Sequence, residues 1–188
     1  MKQALSLVAL VTSMPVFAEE SRQLDAHQHG VGVLNIAIAD ETVAMEFHAP
    51  GADIVGFEYA AESDADLAAI DAAIMTLGAP LDLFVVPEAA ACTLTQARVA
   101  LQSAGMHDDH DEIHADEDHA EHSEEAGHTE FYAEYMLLCE NPDALTEIAF
   151  AYFKTFPNAQ EVDVQIVTAS GAQAFEVERT APTLNLGR

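Results

Sequence analysis

The sequence predicts an α+β fold, one or more antiparallel sheets carrying one or two helices, and three observations predict it. Apolar side chains alternate with a period of two at Val43, Met45 and Phe47. They do so again at Phe131, Ala133, Tyr135, Leu137 and Cys139, and at Val162, Val164 and Ile166. That is the pattern of strands with one buried face. Leu67, Ile70, Ile74 and Leu77 recur instead at helical spacing. Turn-forming pairs and triplets, Asp40-Glu41, Pro50-Gly51, Asn141-Pro142-Asp143 and Ser170-Gly171, separate the runs.

The first strand covers Val31 to Ala39, with an irregularity expected near Gly32, where the apolar alternation changes phase. Asp40-Glu41 turns it into a second strand through Phe47, and the pair reads as a hairpin ended by Pro50-Gly51. Ser63 is a good N-cap for a helix to about Leu77. Asp64 and Asp66 suit the positive end of its dipole, Gly78 closes it, and Pro80 prevents continuation. Leu81 to Val86 reads as a third strand stopped by Pro87, and Cys92 to Leu101 leans to a strand through its Thr and Val content. Strands follow at 131–139, 146–150, 162–168 and 174–178, with a short helical turn through Phe153 and Phe156. Each half thus reads as two strands, a helix and two more strands. The chain is then a single α+β domain over residues 19–188, or two similar ββαββ lobes packed together.

The segment from Met106 to Gly127 has another composition altogether. It lacks apolar periodicity, and its acids and histidines cannot pack a core, so residues 106–127 read as a flexible, disordered surface loop. At the other extreme, Lys2, the apolar run Ala4 to Val11, and Val16-Phe17-Ala18 before Glu19-Glu20 read as a secretory signal removed after residue 18. The apolar run is shorter than the roughly 20 residues that cross a bilayer. The expectation is an exported, periplasmic protein that is not embedded in the membrane.

The chain carries 33 Asp and Glu against 6 Lys and Arg, a formal net charge of −27. Such a surface repels phosphate backbones and anionic lipid heads, which argues against nucleic acid and membrane surfaces as partners, and it attracts cations. Acid can also serve solubility alone, and charge does not decide between the two. Cys92 and Cys139 fit a disulfide in an oxidising compartment, stapling the shoulders of the histidine-rich segment and contributing about 2–4 kcal/mol. Their rival use is as soft metal ligands, at a spacing far from C-x-x-C.

Histidine is the residue that points to chemistry. His107, His110, His114, His119, His122 and His128 are interleaved with ten acids between Asp108 and Glu125. Neutral imidazole binds zinc, copper and nickel, carboxylates complete the shell, and spacings of three to five residues let one segment wrap an ion. A second constellation is Asp25-Ala26-His27-Gln28-His29, where Asp25, His27 and His29 share a face of an extended chain. A third is His128-Thr129-Glu130, an imidazole and a carboxylate on one face. His48, alone on a strand, reads as an exposed or hydrogen-bonded histidine and is left out. Acidification should displace the metal, near pH 5, because protons compete for imidazole.

Catalytic patterns fail, so the chain reads as a non-enzyme. His110-Asp111-Glu112-Ile113-His114 departs from the zinc-protease H-E-x-x-H by placing Asp111 where the base belongs, and no nucleophile elbow, phosphate loop or calcium loop is present.

Read together, several segments resemble the ZrgA-like family of periplasmic zinc-uptake proteins. They are Asp25-Ala-His-Gln-His-Gly-Val-Gly-Val-Leu-Asn-Ile-Ala-Ile, Ala91-Cys-Thr-Leu-Thr, the His/Asp/Glu segment, Phe131-Tyr-Ala-Glu-Tyr ending in Cys139, and Phe156-Pro-Asn-Ala-Gln-Glu-Val-Asp-Val-Gln-Ile-Val with Gly171-Ala-Gln-Ala-Phe. The resemblance runs from about Asp25 to Arg179. It implies capture of Zn²⁺ and its passage towards a membrane transporter, with His27 and His29 matching the leading H-x-H. Two alternatives stand beside it: an acidic interaction module whose loop is a solvated spacer, and a copper- or nickel-binding periplasmic protein.

Overall fold

The computed structural model describes residues 28–103 and 128–187. The signal-sequence reading, and the expected loop over residues 106–127, lie outside the described residues.

The strands are β1 (Val31–Ala39), β2 (Thr42–Pro50), β3 (Phe84–Val85), β4 (Cys92–Ser103), β5 (Thr129–Cys139), β6 (Glu147–Phe150), β7 (Glu161–Thr168), β8 (Gly171–Glu178) and β9 (Thr183–Asn185). The helices are α1 (Gly51–Ile54), α2 (Asp64–Leu77), α3 (Pro80–Leu83) and α4 (Tyr152–Thr155). Six strands form one sheet in the order β4-β5-β2-β1-β7-β8, and β3-β6-β9 form a small second sheet. The α+β class holds, in the form of one large sheet rather than two lobes. Strands from the two halves of the sequence interleave, β2 pairing with β5 and β1 with β7. The β1–β7 pair is parallel and the others in the large sheet are antiparallel.

One face of the large sheet makes the core. Leu34, Ile36, Val43, Met45, Phe47, Phe131, Tyr135, Leu137, Val162 and Val164 point inward, as their alternation required. The small sheet and α4 cover them with aromatic rings: Phe47 meets Phe84 and Tyr152 edge-on at 5.3 and 5.2 Å, and Phe84 packs on Phe150 at 5.5 Å.

Helix α2 begins where its cap predicts. The Ser63 hydroxyl accepts from the Asp66 N–H, and Asp66 returns a bond to the Ser63 N–H, a complete capping box.

Three expectations need correction. β1 has no irregularity: its register with β2 is continuous from Val33 to Ala39, and Gly32 is itself an inward-facing position, roofed by the Phe47 ring. The missing side chain at Gly32, not a bulge, produced the apparent change of phase. The strand expected over residues 81–86 is a helical turn, α3, followed by only two paired residues. Pro80 at the first helical position favours the turn, and only Phe84 and Val85 find a partner strand, β6.

The third correction concerns the cysteines, which do form a disulfide. Cys92 opens β4 and Cys139 ends β5, and the two are cross-strand partners. The residues flanking the histidine-rich segment, Ser103 and Thr129, pair at the other end of the same ribbon. At about 3.3 Å per residue the staple stands roughly 35 Å from the segment's shoulders. It secures the start of an edge strand of the sheet, and the far end of the ribbon is held by strand pairing instead.

Candidate metal centre

Three segments converge at the end of the sheet where the histidine-rich stretch departs. His29 occupies a turn ahead of β1, closed by the Val31 N–H donating to the Gln28 carbonyl at 3.1 Å. Glu58 lies in the connection between α1 and α2. His128 immediately precedes β5. Gly51 permits this convergence: a Cβ there would collide with Oγ1 of Thr129 and stand 2.7 Å from the Phe57 carbonyl oxygen. Only glycine lets the neighbour of Glu58 and the neighbour of His128 approach the same point.

The three side chains meet through Glu58. Its Oε2 lies 2.6 Å from Nδ1 of His128 and its Oε1 lies 3.0 Å from Nε2 of His29. One ligand atom from each residue falls within 4.8 Å of the other two. The Glu58 side chain is 12% exposed, whereas His29 and His128 are 62% and 61% exposed. The carboxylate therefore forms the floor of the cluster and the imidazoles its open rim. Burial alone raises the pKa of Glu58, but its contacts with the His128 and His29 imidazoles and their positive charge outweigh it and hold the carboxyl below its ordinary range. Oε1 is buried and, despite the nearness of His29, accepts no directed hydrogen bond. An unused lone pair on a buried carboxylate beside two imidazole nitrogens is a donor set suited to a divalent transition metal, with the exposed side left for a further ligand.

Among the predicted ligands, the structure brings together His29 and His128, which are 99 positions apart in the sequence and have ring centroids 6.5 Å apart. Asp25, His27, His107, His110, His114, His119 and His122 lie outside the described residues. Glu130 points elsewhere: its Oε2 lies 3.5 Å from Nδ1 of His48, while Oε1 of Glu46 sits 3.1 Å from the same ring's Nε2. Of the two expectations for His48, exposed or hydrogen-bonded, the second holds. The Glu130 bond raises its affinity for a proton, burial opposes, and Glu46 adds to the rise. Tyr132 packs edge-on against the ring at 4.8 Å.

Glu58 was missed by sequence reasoning. It is one of 33 acids, and nothing in its neighbours Phe57 and Tyr59 announces a ligand. Glu161, Asp163 and Glu176 also gather on β7 and β8. They are carboxylates without an imidazole, and their mutual repulsion helps to raise Glu161 after burial has done so.

Fold and site together define a class: an α+β scaffold that presents a two-histidine, one-carboxylate cluster, with donors a metal ion could use, at the rim of its main sheet. The match to a family model is specific. Residues 26–186 match the ZrgA family zinc uptake protein, and the chain belongs to that family. No curated protein matches the sequence. The zinc-uptake role of the family points to a divalent metal ion as the partner. No helix among the described residues is long and apolar enough to cross a membrane.

Proposed function

We propose that the protein captures Zn²⁺ in the periplasm, at a centre formed by His29, Glu58 and His128, and passes it towards a membrane transporter. The observation that carries this reading is the Glu58 carboxylate, buried and held between the nitrogens of two exposed imidazoles. Two nitrogens and one oxygen are a zinc donor set, and three protein ligands with an open position are the arrangement of zinc sites that exchange a fourth ligand. The exposure of both rings supports delivery, since an acceptor can add a ligand from the solvent side before the ion departs.

In this reading residues 1–18 direct export and are removed. The disulfide accords with an oxidising compartment. Asp25 and His27, four and two positions before His29 in the sequence, extend the donor supply. His107, His110, His114, His119 and His122 form a collecting tract, and His128, the next histidine in the sequence, is part of the fixed centre. Glu130 joins the centre only if it leaves His48. The protein performs no catalysis.

The test is a competition titration of the mature chain against a chromophoric chelator. The wild-type protein holds at least one Zn²⁺ at neutral pH, and Glu58→Gln, His29→Ala and His128→Ala each weaken the tightest site by roughly 10–100-fold. Retention of full affinity by all three variants defeats the assignment. Tighter retention of Cu²⁺ or Ni²⁺ than of Zn²⁺, beyond the ordinary order of affinities, would redirect it to another metal.

A further inference from the structure

Asp53 is buried at 3% exposure, and both of its carboxylate oxygens accept from a single donor, the Gly30 N–H, at 2.8 and 2.9 Å. Burying a carboxylate against one shared N–H is expensive, and a neutral acceptor would satisfy that donor equally well. The residue it holds adjoins a ligand. Gly30 follows His29 directly, and the peptide that Asp53 grips is the one joining the two.

Gly30 is fixed on its other side as well. Its carbonyl accepts from the N–H groups of Gln160 and Glu161 at 2.8 and 2.9 Å, which ties it to the start of β7. Its φ of +89° is a conformation that glycine adopts without strain. The backbone that carries His29 is therefore clamped from α1 on one side and from β7 on the other. Asp53 belongs to the one-turn helix α1, which begins at Gly51. That residue is where Thr129, next to His128, and Phe57, next to Glu58, make their close approach. The same short turn thus fixes the spacing of all three ligand-bearing segments, and Asp53 is its link to the first of them.

We propose that Asp53 is a positioning residue of the metal centre, holding the His29 backbone through Gly30 so that the imidazole stands over Glu58 before the ion arrives. This rests on the assignment of His29, Glu58 and His128 as the zinc centre. Asp53 touches no ligand atom of the ion. It lowers the cost of ordering one ligand, the general route by which preorganisation raises affinity.

A double-mutant cycle on the mature full chain tests it, with zinc affinity read by chelator competition. Asp53→Ala lowers affinity about tenfold in the wild-type background, a loss of the size that supporting residues around metal ligands produce. In the His29→Ala background the same substitution changes affinity by less than about twofold, because the residue it positions is gone. Asp53→Asn retains one acceptor oxygen for the Gly30 N–H and loses less than Asp53→Ala. Asp53→Leu, close to aspartate in shape and without an acceptor, carries the cycle if the alanine variant fails to fold. An equal loss in both backgrounds overturns the proposal in favour of a general structural role, and so does no loss in the wild-type background. The two assignments fail differently. If His29→Ala itself leaves affinity intact, the centre is wrong and the positioning role falls with it. If His29→Ala weakens binding and the Asp53 variants do not, only the positioning role falls.

Discussion

Among the described residues, two histidine–carboxylate clusters stand in contrast, one at the rim and one on the outer face of the sheet. At the rim, two imidazoles from separate segments approach the two oxygens of one carboxylate, Glu58, and each presents an exposed edge. On the sheet face a single imidazole, His48, is approached on both ring nitrogens by different carboxylates, Glu46 and Glu130. The chemistry of the groups is the same and the stoichiometry is reversed. Two acids around one histidine leave both nitrogens engaged and make a proton-holding ion pair. Two histidines around one acid leave nitrogen donors to spare, the arrangement on which the proposed zinc site rests. The ratio and direction of donors, rather than the presence of histidine beside acid, separate a site from a surface contact.

The largest expected break in this comparison comes from the two carboxylates. Glu58→Gln should weaken zinc binding by about 10–100-fold, equivalent to roughly 1.4–2.7 kcal/mol. His48→Ala should leave it within about twofold. Chelator competition on both variants checks the contrast, and equal losses would erase it.

Zinc should also stabilise the fold through the rim alone. At a free concentration one hundred times its Kd, a ligand that binds only the native state adds about 2.7 kcal/mol, or roughly 5–10 °C in Tm for a chain of this size. Thermal melts with and without zinc should show that rise for wild type and His48→Ala, and show most of it lost for Glu58→Gln.

Gly51→Ala should damage the rim without removing any ligand. The added methyl meets Thr129 and the Phe57 carbonyl, so overpacking should cost about 1–3 kcal/mol and weaken zinc binding together with stability. Denaturant unfolding and zinc titration of the same variant check the two effects.

Proton linkage gives the smallest effect and has opposite signs in the two clusters. His48 has its folded value raised above 6.5, so its contribution is complete below that pH and is lost as the pH rises through the raised value. In the metal-free protein, His48→Ala should therefore lose more stability at pH 6 than at pH 8, by less than about 1 kcal/mol for so solvent-accessible a pair. Glu58 is lowered from 4.5, so its contribution is present above that pH and disappears as the pH falls through the lowered value. The advantage of wild type over Glu58→Gln should shrink on that side. Denaturant curves across the pH range check both signs.

Much of the scaffold is legible without coordinates because its signals are local. Alternating apolar residues commit β2, β5 and β7 to one buried face, Ser63 and Asp66 write the start of α2, and two cysteines in a chain that reads as exported announce their bond. Local signals also mislead where a residue's surroundings decide. Gly32 reads as an irregularity because the Phe47 ring that fills its place comes from the neighbouring strand. Leu81 to Val86 reads as a strand until Pro80 starts a helical turn and β6 offers only two partners.

By itself the sequence determined that the protein would be rich in metal donors, strongly acidic, built on an α+β sheet, and similar to a zinc-uptake family. It named His29 and His128 as candidates, since imidazole is rare enough to be noticed wherever it clusters. Tertiary structure alone decided that these two meet, that Glu58 lies between them, and that Glu130 turns to His48 instead. The physical reason is that a metal centre is a set of directions in space. Donors contributed by a turn, a connection and a strand end acquire their common point only when the parallel β1–β7 pair, the Gly51 approach and the Asp53 clamp bring the three segments together.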